Sequence, residues 1–121
     1  MPHTDYYHIY DYVRWDETEI EKLLFGTYGW ERACDTQTTW RIGDGTAAFY
    51  NYIYCTVAGF SEHDTFCSNQ IREGQLSRSE ALALAERDNR PRYPTIKWYL
   101  EILGLDFDST IRRINSIAKL Y

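Results

Sequence analysis

Two clusters of polar residues in this chain could take part in chemistry, and the first lies between Asp35 and Thr46. Arg41, Asp44 and Thr46 stand within six residues of one another, beside two glycines and just before an apolar segment. Backbone N–H groups at a helix N-terminus suit an anion such as phosphate or carboxylate, and an arginine would strengthen its binding. The same residues also fit a structural role, in which Asp44 or Thr46 caps the helix and Arg41 pairs with an acid.

The second cluster is formed by Asn69, Arg72 and Glu73, which the helical repeat places on one side of a helix. An arginine beside a glutamate is usually a solvated surface pair, worth less than about 1 kcal/mol. Three short polar residues in a row, from Ser68 to Gln70, are poor helix formers and favour a role in binding. Both readings therefore stay open for this cluster.

Composition excludes several classes of protein. The 121 residues carry 13 basic and 18 acidic side chains, and the net charge of −5 disfavours a nucleic-acid binder. Three cysteines without a Cys-x-x-Cys spacing disfavour a disulfide framework and a structural zinc site. No signal-peptide pattern or long apolar run is present, so the sequence predicts a cytoplasmic protein.

The elements expected in residues 1–45 are an arm, a short helix and an ordered loop. Tyr6–Val13 is aromatic and β-branched, which predicts a strand or an extended arm. A strand here would need partner strands that the rest of the chain does not offer. Asp16 followed by Glu19 predicts the N-terminus of a helix that runs through Leu24.

Residues 46–121 show a regular series of helix starts and stops. Serine caps, glycine stops and a proline at a helix start delimit each segment. The five helices expected are 46–58, 61–73, 77–88, one from about residue 94 to the Gly104 stop, and one from about residue 106 to the terminus. Their inward positions include Leu82, Leu103 and Ile117. The fold class is therefore mainly α: a compact bundle of about five short helices with one N-terminal strand or extended arm.

Several short motifs, in order, resemble the C-terminal portion of the N-acetyl sugar amidotransferase family. They are Trp30-Glu31, Asp35-Thr36-x-x-Thr39-Trp40-Arg41, Asn51-Tyr52-x-Tyr54, Gly59-Phe60, Ser68-Asn69-x-Ile71-Arg72-Glu73-Gly74 and Ser77-Arg78-x-Glu80-Ala81-Leu82. This family consists of PP-loop ATPases of the adenine nucleotide α-hydrolase type, associated with surface-polysaccharide (including lipopolysaccharide) and nonulosonate biosynthesis. The resemblance covers most of the chain, from about Tyr7 onward.

The resemblance implies an ATP-dependent amidation. ATP, with Mg²⁺, would activate the carbonyl oxygen of an N-acetyl sugar as an adenylate and release pyrophosphate. Ammonia from a partner glutaminase would then displace AMP. In this interpretation Asp44 or Glu73 would orient Mg²⁺ or the incoming amine as catalytic residues. The residues expected to bind substrate or phosphate are Arg41, Thr46, Asn69 and Arg72.

The sequence departs from the family pattern at one decisive point. PP-loop enzymes carry a Ser-Gly-Gly-x-Asp-Ser type loop, and these 121 residues contain none. The chain is therefore expected to be the helical part of a larger α/β enzyme, to need a PP-loop portion or subunit as partner, and to be inactive alone. The alternative is a stand-alone, non-enzymatic helical module for protein interaction, with its aromatic surface as the docking face.

Overall fold

The computed structural model describes residues 5–31, 33–37 and 45–121, which fall into two units. The first unit is Met1–Glu31 and the second is Arg32–Tyr121. Arg41 and Asp44, two of the predicted site residues, lie outside the described residues. Within the described ranges every regular element is helical, which confirms the expectation of a mainly α protein.

The first unit contains a short 3₁₀ helix, Ile9–Asp11, and helix α1, Glu17–Tyr28. The strand predicted for residues 6–13 was wrong, because the described part of the chain offers no neighbouring strand to pair with it. Asp16 caps α1 as expected, accepting a hydrogen bond from the backbone N–H of Glu19 at 3.2 Å. The helix continues past its predicted end and stops at Gly29, whose φ of 60° is left-handed.

The described residues of the second unit form five helices: α2, Thr46–Ala58; α3, Glu62–Arg72; α4, Arg78–Asp88; α5, Tyr93–Ile102; and α6, Phe107–Asn115. Four of them agree with the predicted segments to within a residue or two at each end. Helix α6 ends earlier than expected, and the segment after it returns to α2, where the Leu120 N–H donates to the Val57 carbonyl at 2.8 Å. None of the helices in the described ranges is long and apolar enough to cross a membrane.

The larger hydrophobic core lies where α2, α5 and α6 meet. Its buried residues are Ala48, Tyr52, Ile96, Leu100 and Ile114. The hydroxyl of Tyr52 donates to Oδ1 of Asn115 at 2.8 Å, which joins α2 to the end of α6. Burial of these apolar side chains is the main force that holds the three helices together.

A smaller core joins α3 to α4 through Cys67, Ala81 and Ala85. The small side chains of these residues let the backbones of the two helices approach closely. The prediction was wrong for Leu82, Leu103 and Ile117, which are all exposed. Helical periodicity places these residues near the inward side of each helix but cannot fix where the neighbouring helix ends.

The two serine caps formed as their sequences predicted. The hydroxyl oxygens of Ser61 and Ser77 each accept a hydrogen bond from a backbone N–H. The backbone N–H of each serine in turn donates to the carboxylate three residues later, that of Asp64 or Glu80. Helix α2 begins differently, because its N-cap is Gly45 with a φ of 82° and no side-chain cap. Thr46 is therefore the first helical residue and not the cap that the sequence allowed.

Candidate functional site

Residues 33–37 are attached to the start of α5 by a carboxylate, Asp35. One carboxylate oxygen accepts from Nε of Arg92 at 2.9 Å and also from Nη2 of the same guanidinium, and the other accepts from the hydroxyl of Thr95. The side chains of Arg92 and Asp35 are 15% and 23% exposed. Arg92 is the N-cap residue of α5, so this contact joins the segment before α2 to the α4–α5 connection.

A second attachment joins the same segment to the end of α4. Arg87 donates through Nε and Nη2 to the two oxygens of Asp88, at 2.7 and 2.8 Å, and through Nη1 to Oε1 of Gln37 at 3.0 Å. A guanidinium has five N–H donors in a fixed plane, so it can serve an acid and an amide at the same time. The two arginines hold residues 35–37 against the α4–α5 connection.

Between these attachments lies an open groove with a volume of about 450 Å³. It is lined by Cys34, Asp35, Thr36, Gln37, Arg87, Asp88, Arg90, Pro91, Arg92 and Pro94. Pro91 and Pro94 restrict the backbone that carries the arginines. Arg90 is exposed, and its guanidinium makes no hydrogen bond or ion pair with the other described residues. Among the described residues that line the groove, Arg90 is thus the cation that the acids do not engage.

The hydrogen bonds to Asp35 favour the ionised form of its carboxylate. Partial burial by itself would raise the pKa of Asp35, but the hydrogen bonds from Arg92 and Thr95 outweigh it, and the pKa of Asp35 is lowered. Asp35 therefore remains negatively charged at neutral pH and holds Arg92 in place. Because Arg92 and Arg87 each face an acid, an incoming anion would find its strongest attraction at Arg90.

His63 lies in the first turn of α3 and is partly buried. It lines a cavity of about 20 Å³ with Asn51, Asp88 and Arg92 among its neighbours, room for about one water molecule. Burial lowers the pKa of His63, opposed by the nearby carboxylates of Asp88, Glu62 and Asp64. The imidazole is therefore neutral at pH 7, and can accept or donate a hydrogen bond in this cavity.

The start of α3 is fixed to the end of α4 by a buried polar network. The Ser61 hydroxyl donates to Oδ1 of Asn89, and Nδ2 of Asn89 donates to Asp64 at 2.8 Å. The same Asp64 oxygen accepts from the Ser61 backbone N–H at 2.8 Å. No buried side-chain polar atom among the described residues lacks a partner. This network positions His63 and Asp88 relative to each other.

The sequence-predicted site residues that the structure describes do not converge on the groove. Arg72 donates to Oδ1 of Asn69, as their spacing predicted, but both are exposed on α3. Glu73 is exposed and caps the C-terminus of that helix. Thr46 is exposed at the start of α2. None of these four lines the groove as the structure describes it, and among them Asn69 and Arg72 share a side-chain hydrogen bond.

Sequence reasoning missed the arginines of the groove. Arg87, Arg90 and Arg92 fall within six residues around a proline, a density that could have drawn attention to the α4–α5 connection. Their partners, Asp35 and Gln37, lie some fifty positions earlier, and no local pattern predicts a contact over that separation. Among the described residues no group of His, Cys, Asp and Glu side chains could hold a metal ion, whereas the arginines of the groove suit an anion.

Comparison with known proteins gives no relative for this chain. No protein-family model, no curated protein and no solved structure matches it.

Proposed function

We propose that the chain is the helical part of an ATP-dependent N-acetyl sugar amidotransferase and contributes an anion-binding groove to that enzyme. The reaction begins when the acetamido oxygen of the sugar attacks the α-phosphate of ATP, which forms an adenylate and releases pyrophosphate. Ammonia then adds to the activated carbon and AMP leaves, so that an acetamidino group remains. A nucleotide-binding portion with a Ser-Gly-Gly-x-Asp-Ser loop must join this chain, because the loop is absent from its 121 residues.

The observation that supports the proposal most directly is the place of Asp35 and Thr36. Both belong to the motif through which the sequence resembles the family, and both line the groove that carries Arg87, Arg90 and Arg92. A groove of about 450 Å³ is within the usual range for small-molecule sites. Arginine binds phosphate oxygens with short, charge-assisted hydrogen bonds, so Arg90 is assigned to the phosphate of the adenylate or to pyrophosphate.

The described residues fit the anionic part of ATP better than they fit its metal ion. Arg90 offers a charged donor, whereas no set of acidic or histidine side chains in the described ranges is arranged to hold Mg²⁺. Mg²⁺ commonly binds through substrate phosphates and one or two carboxylates, and bound with ATP it would neutralise phosphate charge. The proposal keeps the two roles that the resemblance implies just before α2: Arg41 binds phosphate, and Asp44 orients Mg²⁺ or the incoming amine.

The test is reconstitution with a PP-loop polypeptide of this family. Pyrophosphate release that depends on an N-acetyl sugar is measured for the isolated chain, for the partner and for the mixture. We expect release from the mixture only. Robust release from a homogeneous sample of the isolated chain would contradict the proposal, and so would a mixture that neither associates nor turns over.

A matched pair of variants tests the groove within that active mixture. Arg90→Gln should lower kcat/KM by about 10- to 100-fold, because a charge-assisted contact to phosphate is worth about 1.5–3 kcal/mol. Arg113→Gln makes the same chemical change at an exposed position on α6 and should leave turnover unchanged. If the two variants behave alike, Arg90 does not bind the reacting anion.

A second function, a non-enzymatic interaction module, is favoured by the outward side of α5. Trp98 and Ile102 are 49% and 63% exposed and lie one turn apart, at i and i+4. A helical stripe of this kind normally faces another structure. Binding of a helical partner through Trp98, together with no affinity for a PP-loop polypeptide, would identify the chain as an interaction module and would contradict the amidotransferase proposal. The fluorescence of Trp98 in variants that keep only this tryptophan reports on that contact.

A further inference from the structure

The turn between α2 and α3 forms an aromatic notch, which we define by Tyr50, Tyr54, Phe60, Ser61, Glu62 and Thr65. Its volume is about 530 Å³. Tyr50 and Tyr54 are one helical turn apart on α2, so their rings rise from the same side of the helix. Gly59, with a φ of 79°, ends α2, and Phe60 and Glu62 after it line the same notch.

The rings of the notch are set at right angles and remain accessible. The centroids of Tyr50 and Tyr54 are 6.0 Å apart, with 87° between the ring planes. Tyr54 is 53% exposed and Phe60 is 51% exposed. An aromatic ring carries negative electrostatic potential on its faces, so rings that are turned relative to one another can surround a cation from more than one direction.

A carboxylate held by α2 completes the notch. Oε1 of Glu62 accepts from Nδ2 of Asn51 at 3.1 Å, and Oε2 accepts from the Tyr50 hydroxyl. The amide oxygen of Asn51 in turn accepts from the Glu62 backbone N–H at 3.3 Å. These contacts fix the carboxylate beside the rings. Among the described residues that line the notch, none is a lysine or an arginine.

We propose that the aromatic notch binds an organic ammonium ion, of the quaternary or N-methylated class. Tyr50, Tyr54 and Phe60 supply cation–π attraction, and Glu62 supplies the opposite charge. A neutral apolar ligand would gain nothing from Glu62, and an anion would be repelled by it. The net charge of −5 adds a weak long-range attraction for cations. This site is independent of the arginine groove and of the amidotransferase reaction.

The test is an NMR titration of the full chain with choline, and separately with tetramethylammonium. The neutral control ligand is 3,3-dimethylbutan-1-ol, which has the shape of choline without its charge. We expect choline to shift the ring resonances of Tyr50, Tyr54 and Phe60, with a Kd on the order of 1–10 mM, and the neutral alcohol to bind at least several-fold more weakly.

Variants separate the contributions of the rings and of the charge. Phe60→Leu keeps an apolar side chain but removes a ring, and it should weaken choline binding about two- to fivefold. Glu62→Gln keeps hydrogen-bonding atoms but removes the charge, with an expected loss of about two- to fivefold. Tyr28→Leu, at an exposed aromatic residue on α1, is the control and should not change the Kd. Circular dichroism confirms that each variant is folded.

Three results would overturn the proposal. The first is equal binding of choline and the neutral alcohol, which would show an apolar site. The second is choline binding that Phe60→Leu and Glu62→Gln leave unchanged, which would place the site elsewhere. The third is the absence of any shift in the notch at choline concentrations on the order of 50 mM.

Discussion

Replacement of Asp35 by asparagine should destabilise the second unit, because this one carboxylate joins residues 33–37 to the start of α5. It accepts hydrogen bonds from two nitrogens of Arg92 and from the hydroxyl of Thr95. Removal of one partner from a hydrogen bond to a charged group costs about 1.5–3 kcal/mol. The side chain of Asp35 is only 23% exposed, so water can replace its partners only in part. We therefore expect Asp35→Asn to lower the free energy of unfolding by about 2 kcal/mol.

For a domain of this size, a loss of about 1 kcal/mol in the free energy of unfolding lowers Tm by about 4 °C. The Tm of Asp35→Asn should therefore be about 8 °C lower than that of the wild type at pH 7. The direction of the pKa shift adds a pH signature. The pKa of Asp35 is lower in the folded chain than in the unfolded one, so its contribution is complete above the unfolded value, near 4. It is lost as the pH falls through the lower, folded value. The difference in Tm between the wild type and Asp35→Asn should therefore shrink as the pH falls below about 4.

The assay is thermal unfolding followed by circular dichroism, with a double-mutant cycle on Asp35→Asn and Arg92→Gln. If the two side chains stabilise the chain through each other, the cycle should give a coupling energy of about 1 kcal/mol. Glu101→Gln is the matched control: its ion pair with Lys97 is long, at 4.0 Å, and both side chains are exposed, so the loss should be below about 0.5 kcal/mol. The reasoning is refuted if Asp35→Asn costs no more than Glu101→Gln, or if the cycle shows no coupling.

Three further predictions concern the core, a glycine and a histidine. Leu100→Ala should lower the free energy of unfolding by about 2–5 kcal/mol in urea denaturation, because Leu100 is 0% exposed at the centre of the larger core. Gly45→Ala should cost more than Gly74→Ala in the same assay: both residues have positive φ, but a Cβ on Gly45 would lie 2.6 Å from Cβ of Tyr99, whereas Gly74 has nothing within 4 Å. Equal costs would contradict this steric argument. Because burial lowers the pKa of His63, the unfolded chain binds its proton first, and stability should fall as the pH drops below about 6.5. His63→Gln should reduce that fall in Tm between pH 7 and pH 5, and an unchanged pH profile would show that His63 is not responsible.

Helix limits in the second unit could be predicted from the sequence because each one depends on a few adjacent residues. Ser61 with Asp64 and Ser77 with Glu80 form reciprocal caps whatever the rest of the chain does. The same is true of the spacing that joins Asn69 to Arg72. Local rules of this kind do not say which helix lies beside which.

The groove could not be predicted, because its contacts join residues far apart in the chain. Asp35 contacts Arg92 and Gln37 contacts Arg87, and nothing in either local sequence specifies the other. The strand predicted for residues 6–13 failed for a related reason. β-branched and aromatic residues favour an extended backbone only when a neighbouring strand completes their hydrogen bonds.

Helix α5 shows how the second unit can fold by itself and still bind a partner. Ile96 and Leu100 are fully buried against α2 and α6, so the inward side already anchors the helix. The outward side carries Trp98 and Ile102, which are 49% and 63% exposed, and burying each of them would contribute up to about 1.5–3 kcal/mol. Folding of the described residues therefore leaves this apolar side of α5 exposed. The free energy of its burial remains available for association with a partner.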